Sequence, residues 1–165
     1  MADVSMVEVP TLSQVSLRVD LTPAQGRPAP PLELPLQPNS WRRIGILEAL
    51  WLGPDEWLVT AGQGNTGKMV ILLEAAFDGK PHSVVDVSAN RVAIDLTGPD
   101  RLDLLATGCP LDLHPRVWNE GACAQTLLAR VPVLLQERAA GTRLFVRPSF
   151  AAWLTDWLDA AAAVS

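Results

Sequence analysis

Residues 57–96 read WLVTAGQGNTGKMVILLEAAFDGKPHSVVDVSANRVAIDL, and this stretch decides the fold class. It opens with a short β-type run at 57–60. From 66 to 77, apolar side chains recur at three- and four-residue spacing, which is typical of one face of a helix. Two runs rich in β-branched residues follow at 84–87 and 91–96, separated by three residues, and they predict a hairpin.

The sequence before and after this stretch adds further elements. Residues 44–51 are rich in aliphatic side chains and precede a turn-forming segment, so they predict a hairpin with 57–60. Residues 99–106 predict a second helix, because Pro99 is tolerated in a first turn and Gly108 is a common helix stop.

The C-terminal part predicts two strands and a helix. Residues 123–136 form one apolar run that predicts a single long strand, and residues 142–147 are expected to return antiparallel to it. Ser149 is the expected cap of a final helix. The apolar residues of that helix are Phe150, Trp153, Leu154, Trp157 and Leu158. From residue 57 onward the order is βαββαβ, as in ferredoxin-like folds, and it predicts an α+β protein with mainly antiparallel strands.

An extended arm precedes these elements. Residues 22–38 contain six prolines, which fix the backbone angle φ and lack an amide donor. The alternating Leu32, Leu34 and Leu36 suit a strap on an apolar surface, and a linker is the open alternative. We therefore predict an N-terminal strand and proline-rich arm at 1–40. The α+β domain at 41–165 is predicted as one body or as two small subdomains that share a core.

The composition excludes two classes of partner. The 165 residues carry a formal net charge of -5, which argues against nucleic-acid binding through a basic face. The sequence has no apolar run of the roughly 18 to 20 residues that a membrane-spanning helix needs. Charged residues make up only 19% of the chain and hydrophobic residues 48%, so we expect an apolar surface that a protein partner covers.

The cellular compartment is predicted from the N-terminal residues and the cysteines. Asp3 and Glu8 lie in a segment that has neither the basic nor the apolar region of a secretory signal. We therefore expect a cytoplasmic protein in which Cys109 and Cys123 are reduced thiols.

A glycine-rich segment at 62–68 invites a nucleotide-binding hypothesis. It satisfies the GxGxxG pattern, and it matches a phosphate-binding P-loop except for the final hydroxyl residue, which is replaced by Met69. Methionine offers no oxygen to a magnesium ion. Asp86 has about the spacing of a ribose-binding acid, but the predicted antiparallel strands do not suit a dinucleotide site. We expect a loop that enters a helix and no bound nucleotide.

Metal and hydrolase sites have weaker support. His82, Cys109, His114 and Cys123 could supply zinc ligands, but they lack the close pairs that structural zinc sites use. Ser149 and His114 could belong to a serine hydrolase, but no serine of the chain lies in a GxSxG motif, so this class is disfavoured. We predict no catalytic, cofactor-binding or metal-binding residue in this chain.

Tryptophans and the arm supply the candidate partner contacts. The chain has six tryptophans and no tyrosine, and tryptophan is enriched at interface hot spots. The segment around Pro115 and Arg116 is expected to resist burial in a small core. The predicted interface residues are Leu32, Leu34, Leu36, Trp41, Pro115, Arg116 and Trp118.

Five blocks of sequence, in order, resemble the sarcosine oxidase gamma subunit family. They are LGPDEWLV at 52–59, VVDVS at 84–88, GCPLDLHPR at 108–116, CAQTLL at 123–128 and VRPSFAAWLTDWL at 146–158. Together they extend from residue 52 to residue 158, over nearly all of the chain after the arm.

The resemblance implies a non-catalytic subunit of a heterotetramer that oxidatively demethylates sarcosine to glycine with tetrahydrofolate as the one-carbon acceptor. The implied partners are the alpha, beta and delta subunits, chiefly alpha. FAD, FMN, NAD, zinc and tetrahydrofolate are expected in those partners, with none in this chain.

The resemblance also implies a fold similar to the folate-binding aminomethyltransferase of the glycine cleavage system. The runs DVS at 86–88 and GPD at 98–100, with the segment 121–126, carry that likeness. Such enzymes follow the equivalent strand with a Gly-Gly turn and acidic residues, whereas this chain has ARVPV at 129–133. A free-standing folate-binding or aminomethyltransferase-like protein is the alternative function, although the KGCYxGQE signature of a related folate-dependent family is absent.

Overall fold

The computed structural model describes residues 2–21 and 32–164. These residues form two compact units, one from Thr11–Ala89 and one from the segments before and after it. The prolines at 23, 28, 30 and 31 lie outside the described residues, and the predicted division into 1–40 and 41–165 stays a prediction.

Ten strands and three helices occur in the described part of the chain. In chain order they are β1 (Ser5–Val9), β2 (Ser13–Val19), β3 (Trp41–Ile44), β4 (Leu47–Gly53), β5 (Glu56–Ala61), α1 (Thr66–Ala76), β6 (His82–Asp86), β7 (Val92–Thr97), α2 (Arg101–Ala106), β8 (Cys123–Leu128), β9 (Val131–Arg138), β10 (Gly141–Val146) and α3 (Pro148–Val164).

The unit formed by Thr11–Ala89 contains one five-stranded sheet, in the order β3-β4-β5-β2-β6, and the helix α1. Strand β2 is antiparallel to both β5 and β6, so β5 and β6 run parallel on either side of it with α1 between them in sequence. Val15 and Leu17 of β2 are fully buried with Met69 and Leu73 of α1. Burial of each such side chain contributes about 1.5–3 kcal/mol, which fixes the helix on this face of the sheet.

The other unit contains a five-stranded antiparallel sheet, in the order β1-β7-β10-β9-β8, with α2 and α3. Alternate residues of the central strands point into its core, as Leu135 of β9 and Leu144 of β10 do. Leu154 and Leu158 of α3 are buried in the same core, as is Leu104 of α2. The short helix and the long helix therefore cover one apolar face.

The α+β class with mainly antiparallel strands is confirmed, and most predicted elements are present. Helix α1, the β4–β5 hairpin and the β9–β10 hairpin form where predicted. Helix α2 begins at Arg101, after Pro99, and α3 begins at Pro148, one residue before the expected cap.

The predicted hairpin of 84–87 with 91–96 is wrong. β6 pairs with β2 in one sheet, and β7 pairs with β1 and β10 in the other. The βαββαβ order is therefore present along the chain but is divided between two sheets. The turn at Ser88 is fixed by Gln14, whose backbone amide donates to the serine Oγ at 3.0 Å, and this distant contact cannot be read from local sequence.

The prediction of a single long strand at 123–136 is also wrong, because this segment forms two strands, β8 and β9, paired as a hairpin. Ala129 and Arg130 form its two-residue turn, with positive φ values of 47° and 70°. Two-residue turns with positive φ usually contain glycine or asparagine. Because neither residue occurs at 129–130, the apolar run contains no local sign of a turn.

Candidate functional site

The glycine-rich segment is a loop between β5 and α1, as predicted. Asn65 precedes the helix, and its side-chain Nδ2 donates to the carbonyl oxygen of Gly62 at 2.9 Å. The backbone amide of Asn65 donates to Ser13 Oγ at 2.9 Å, and Thr66 Oγ1 lies 3.2 Å from Ser88 Oγ. Polar groups that could face a phosphate are thus bonded within the unit, which supports a structural role for the loop.

Asp86 and Ser88 extend this polar cluster. The backbone amide and the hydroxyl of Ser88 donate to Asp86 Oδ1 at 2.9 and 2.7 Å. These two hydrogen bonds, the amide first, lower the pKa of Asp86, although its partial desolvation opposes them. A carboxylate that accepts such bonds closes the turn after β6, a structural role that sequence spacing could not distinguish from ribose binding.

A buried carboxylate, Glu137 on β9, joins three other elements of its unit. Its Oε1 accepts from Arg101 Nη2 at 2.5 Å, at the start of α2. Its Oε2 accepts from Thr142 Oγ1 of β10 at 2.5 Å and from the indole Nε1 of Trp118 at 3.0 Å. We call this set of four residues the Glu137 cluster. It holds the segment before β8 against the sheet and places Trp118 inside the unit.

A second ion pair links β7 with β10. Arg143 and Asp95 are directly opposed across the two strands. Arg143 donates from Nε and Nη2 to the two carboxylate oxygens of Asp95, at 2.7 and 2.8 Å. Such a two-point arrangement is the strong form of this contact, and it fixes the strand register. A small pocket beside the pair is lined by Asp95, Thr97, Arg138 and Gly141, among others.

His82 connects β6 with the end of α1. Its Nδ1 lies 2.8 Å from the carbonyl oxygen of Lys80, and its Nε2 lies 2.8 Å from Glu74 Oε2. The hydrogen bond with Lys80 and then that with Glu74 raise the pKa of His82 above 6.5, with help from the negative charges of Glu74 and Asp78; desolvation opposes the shift.

A pH-dependent part of the stability is expected from this histidine. Because its folded-state pKa is raised, its contribution is fully present below the unfolded value of 6.5 and is lost as the pH rises through the folded value. Unfolding by urea at pH values from about 5 to about 9 should therefore lose part of its pH dependence near neutrality in His82→Gln. Ser83→Ala, at an exposed residue next to His82 that does not titrate, is the control and should retain the wild-type profile. An unchanged profile in His82→Gln would contradict the assignment.

The candidate metal ligands are not brought together. Cys109 and Cys123 are buried and form no disulfide, which agrees with the predicted reduced thiols, and Cys109 Sγ lies 3.8 Å from Thr126 Oγ1. His114 is exposed, and its Nδ1 accepts from the amide of Arg116 at 3.2 Å. Within residues 2–21 and 32–164, no group of three His, Cys, Asp or Glu residues has the geometry to hold a metal ion.

The seven predicted interface residues occupy three kinds of environment. Leu36, Pro115 and Arg116 are exposed, and Leu32 and Trp41 are half-buried. Leu34 and Trp118 are each only 6% exposed. Whether these residues contact a partner stays a prediction.

Leu34 and Trp118 are buried within their own units, so a charged residue at either position is expected to lower stability as well as to alter any partner contact. Leu34 packs into the core of its unit, and Trp118 belongs to the Glu137 cluster. The end of the arm, around Leu34 and Pro35, therefore forms a strap on an apolar surface rather than a linker. The carbonyl oxygen of Pro35 accepts a 2.8 Å hydrogen bond from the buried indole of Trp57.

Sequence reasoning missed two exposed aromatic residues as interface candidates. From sequence, Phe150 and Trp153 are identified only as apolar residues of the last helix, and in the structure they are 40% and 50% exposed. The sequence signal that could have found them is the width of the apolar arc on α3, because the two buried residues of the helix, Leu154 and Leu158, occupy only part of that arc.

No helix in the described ranges is long and apolar enough to cross a membrane.

Comparison with known proteins adds a family. Residues 28–164 match the family model described as sarcosine oxidase, gamma subunit family. The chain is 40% identical over 114 residues to the sarcosine oxidase subunit gamma of Arthrobacter sp, which covers 65% of this chain and 54% of the relative. The corresponding subunit of Corynebacterium sp. (strain P-1) is 39% identical over 110 residues, covering 66% and 53%. The matches thus span about half the length of these curated relatives.

Two solved structures resemble the fold. A chain of the heterotetrameric sarcosine oxidase from Corynebacterium sp. U-96, in complex with pyrrole 2-carboxylate, superposes with a TM-score of 0.83 and 31% identity. The match covers 97% of this chain and 84% of that one. The glycine cleavage system aminomethyltransferase T from Bartonella henselae superposes with a TM-score of 0.67 and 15% identity, over 95% and 45% of the two chains, and supports the fold alone. The family match and the identities to curated relatives show that this chain belongs to the sarcosine oxidase, gamma subunit family.

Proposed function

We propose that this chain is a non-catalytic assembly subunit of a heterotetrameric sarcosine oxidase. The observation that carries the proposal is the likeness, at 31% identity over 97% of the chain, to a chain of the heterotetrameric enzyme from Corynebacterium sp. U-96. Its partners are the alpha, beta and delta subunits, chiefly alpha. FAD, FMN, NAD, zinc and tetrahydrofolate belong to those partners, and the complex converts sarcosine to glycine with tetrahydrofolate as one-carbon acceptor.

The internal chemistry of the chain supports an assembly role. Glu137, a buried carboxylate, accepts three hydrogen bonds from side chains of its own unit. The residues around the glycine-rich loop are likewise bonded to one another, through Ser13 and Ser88. Groups used in this way stabilise a scaffold, because a catalytic acid or base needs access to a substrate proton.

Co-expression of the four subunits tests this function. With the chain present, we expect a complex that forms glycine from sarcosine, and without it a lower yield of assembled, flavin-loaded enzyme. Lys68→Ala, His114→Ala and Ser149→Ala alter exposed residues considered as sites and should change kcat by less than about twofold. A loss of about tenfold or more in kcat, with assembly intact, would show that the chain takes part in the reaction.

The same preparation distinguishes the alternative function. A free-standing folate-binding protein would bind tetrahydrofolate without the other subunits. We expect no tetrahydrofolate binding by the isolated chain in calorimetric titration. Binding at micromolar concentration, together with failure to enter the complex, would favour the alternative.

A further inference from the structure

Helix α3 has an apolar strip that its own unit covers only in part, at Trp157. Successive residues of a helix are about 100° apart, so residues 150, 153, 157, 160 and 164 fall within an arc of about 80°. This strip, which we call the outer strip, consists of Phe150, Trp153, Trp157, Ala160 and Val164. Trp157 is half-buried, whereas Trp153 is 50% and Val164 89% exposed.

The outer strip is distinct from the side of the helix that holds α3 to its unit. That inner side is formed by Leu154 and Leu158, which are fully buried, and it lies next to the outer strip on the helix surface. Anchors at i, i+3 and i+7 are the spacing with which a helix enters the groove of a partner. Phe150, Trp153 and Trp157 have this spacing.

Charge next to the outer strip identifies the chemistry of the partner. Asp156 is exposed and lies about 40° beyond Ala160, which forms the edge of the strip on the side away from Leu154 and Leu158. Pro148–Val164 contains no lysine or arginine, and the last turn has no basic residue to balance the negative end of the helix dipole. A complementary surface must therefore be apolar opposite the tryptophan and basic opposite Asp156.

A second copy of this chain fits that description poorly. A symmetric contact would bring the same surface patch of each copy together, and with it Asp156 of both copies. The net charge of -5 adds to the repulsion between two copies.

Helix α1 also has two exposed apolar residues, Ile71 and Leu72. The charged residues of that helix include both Lys68 and Glu74, so they do not indicate a partner of one charge.

We propose that the outer strip of α3 docks into a groove of a larger sarcosine oxidase subunit, with Trp153 as the anchor and with a lysine or arginine side chain of the groove facing Asp156. This inference rests on the proposed function. It adds a contact surface to the interface residues predicted from sequence and gives the partner surface a stated chemistry.

The test uses the four-subunit complex, captured through a tag on the alpha subunit. Trp153→Glu should lower the amount of this chain recovered per alpha subunit by roughly tenfold or more, because a central tryptophan anchor is lost and a negative charge is added. Ile71→Glu changes an apolar residue of α1 that is more exposed still, at 72%, and should be recovered like the wild type. Thermal unfolding of the isolated Trp153→Glu chain should match that of the wild type, since the residue is half-exposed.

The charge requirement is tested separately. Asp156→Lys should lower recovery at about 0.1 M salt, and the difference should shrink at about 0.5 M, where exposed charges are screened. Glu120→Lys, at an exposed acid outside α3, is the control and should not change recovery.

Three outcomes would overturn the inference. If wild-type chain is not recovered with alpha, both the proposed function and the docking surface are wrong. If the wild type is recovered and Trp153→Glu is recovered equally, the docking surface is wrong and the proposed function stands. If the isolated wild-type chain sediments as a dimer that Trp153→Glu dissociates, a second copy covers the outer strip.

Discussion

Replacing Glu137 with alanine is expected to lower the free energy of unfolding by about 2–4 kcal/mol. The substitution removes the acceptor of Arg101, Trp118 and Thr142 at once. Glu137 is almost fully buried, so the three donors lose their partner where water has little access. Arg101 retains partial exposure, which places the expected loss below that of a fully buried ion pair.

Urea unfolding followed by circular dichroism and tryptophan fluorescence measures this loss. Glu120→Ala is the matched control, because it removes an exposed glutamate close to the same segment and should change stability by less than about 0.5 kcal/mol. Glu137→Gln keeps one acceptor oxygen and should fall between the two. Equal stability of Glu137→Ala and Glu120→Ala would contradict the role of the Glu137 cluster.

Leu34→Asp is expected to destabilise the chain by about 3 kcal/mol or more, whereas Leu36→Asp should change stability by less than about 0.5 kcal/mol. The two residues are two positions apart in the same extended segment. Leu34 is 6% exposed and packs with the core around Trp57, but Leu36 is 65% exposed. A carboxylate at 34 would be buried among apolar side chains without a compensating charge.

The pair of variants separates folding from association. Both add the same charge to the arm, so a difference between their unfolding midpoints reports on the burial of Leu34 alone. Reduced recovery of Leu36→Asp with the alpha subunit, at unchanged stability, would support the predicted contact at Leu36. Equal midpoints for the two variants would mean that the strap does not pack as described.

Elements with strong local periodicity could be predicted from sequence. The apolar residues of α1 recur at helical spacing, and the final helix carries two leucines and three aromatic residues on one broad arc. The hairpin of β4 and β5 had turn residues at Pro54 and Asp55. In each case the pattern that determines the element lies within the element.

Features that depend on distant contacts could not be predicted in this way. The β6–β7 connection looked like a hairpin, yet Ser88 is bonded to Gln14, 74 residues earlier in the chain. The turn at Ala129 and Arg130 has no glycine, although both residues have positive φ. Trp118 was predicted as an interface residue because tryptophan is enriched at interfaces. Its burial could not be predicted, since its hydrogen-bond partner, Glu137, is 19 residues away and lies on a strand whose sequence is mainly apolar.

The candidate site followed the same rule. Sequence reasoning correctly described the glycine-rich segment as a loop that enters a helix, because the missing hydroxyl at Met69 is a local feature. It did not identify Phe150 and Trp153 as exposed, since a periodic pattern defines an apolar arc but not which part of it the rest of the unit covers.

Native mass spectrometry of the complex purified through a tagged alpha subunit tests the central claim most directly. If this chain is an assembly subunit, the mass should correspond to one copy each of alpha, beta, delta and this chain. The Trp153→Glu variant should shift the spectrum to the species that lacks this chain. An active complex of the other three subunits without this chain, purified from cells that express wild-type chain in excess, would contradict the claim.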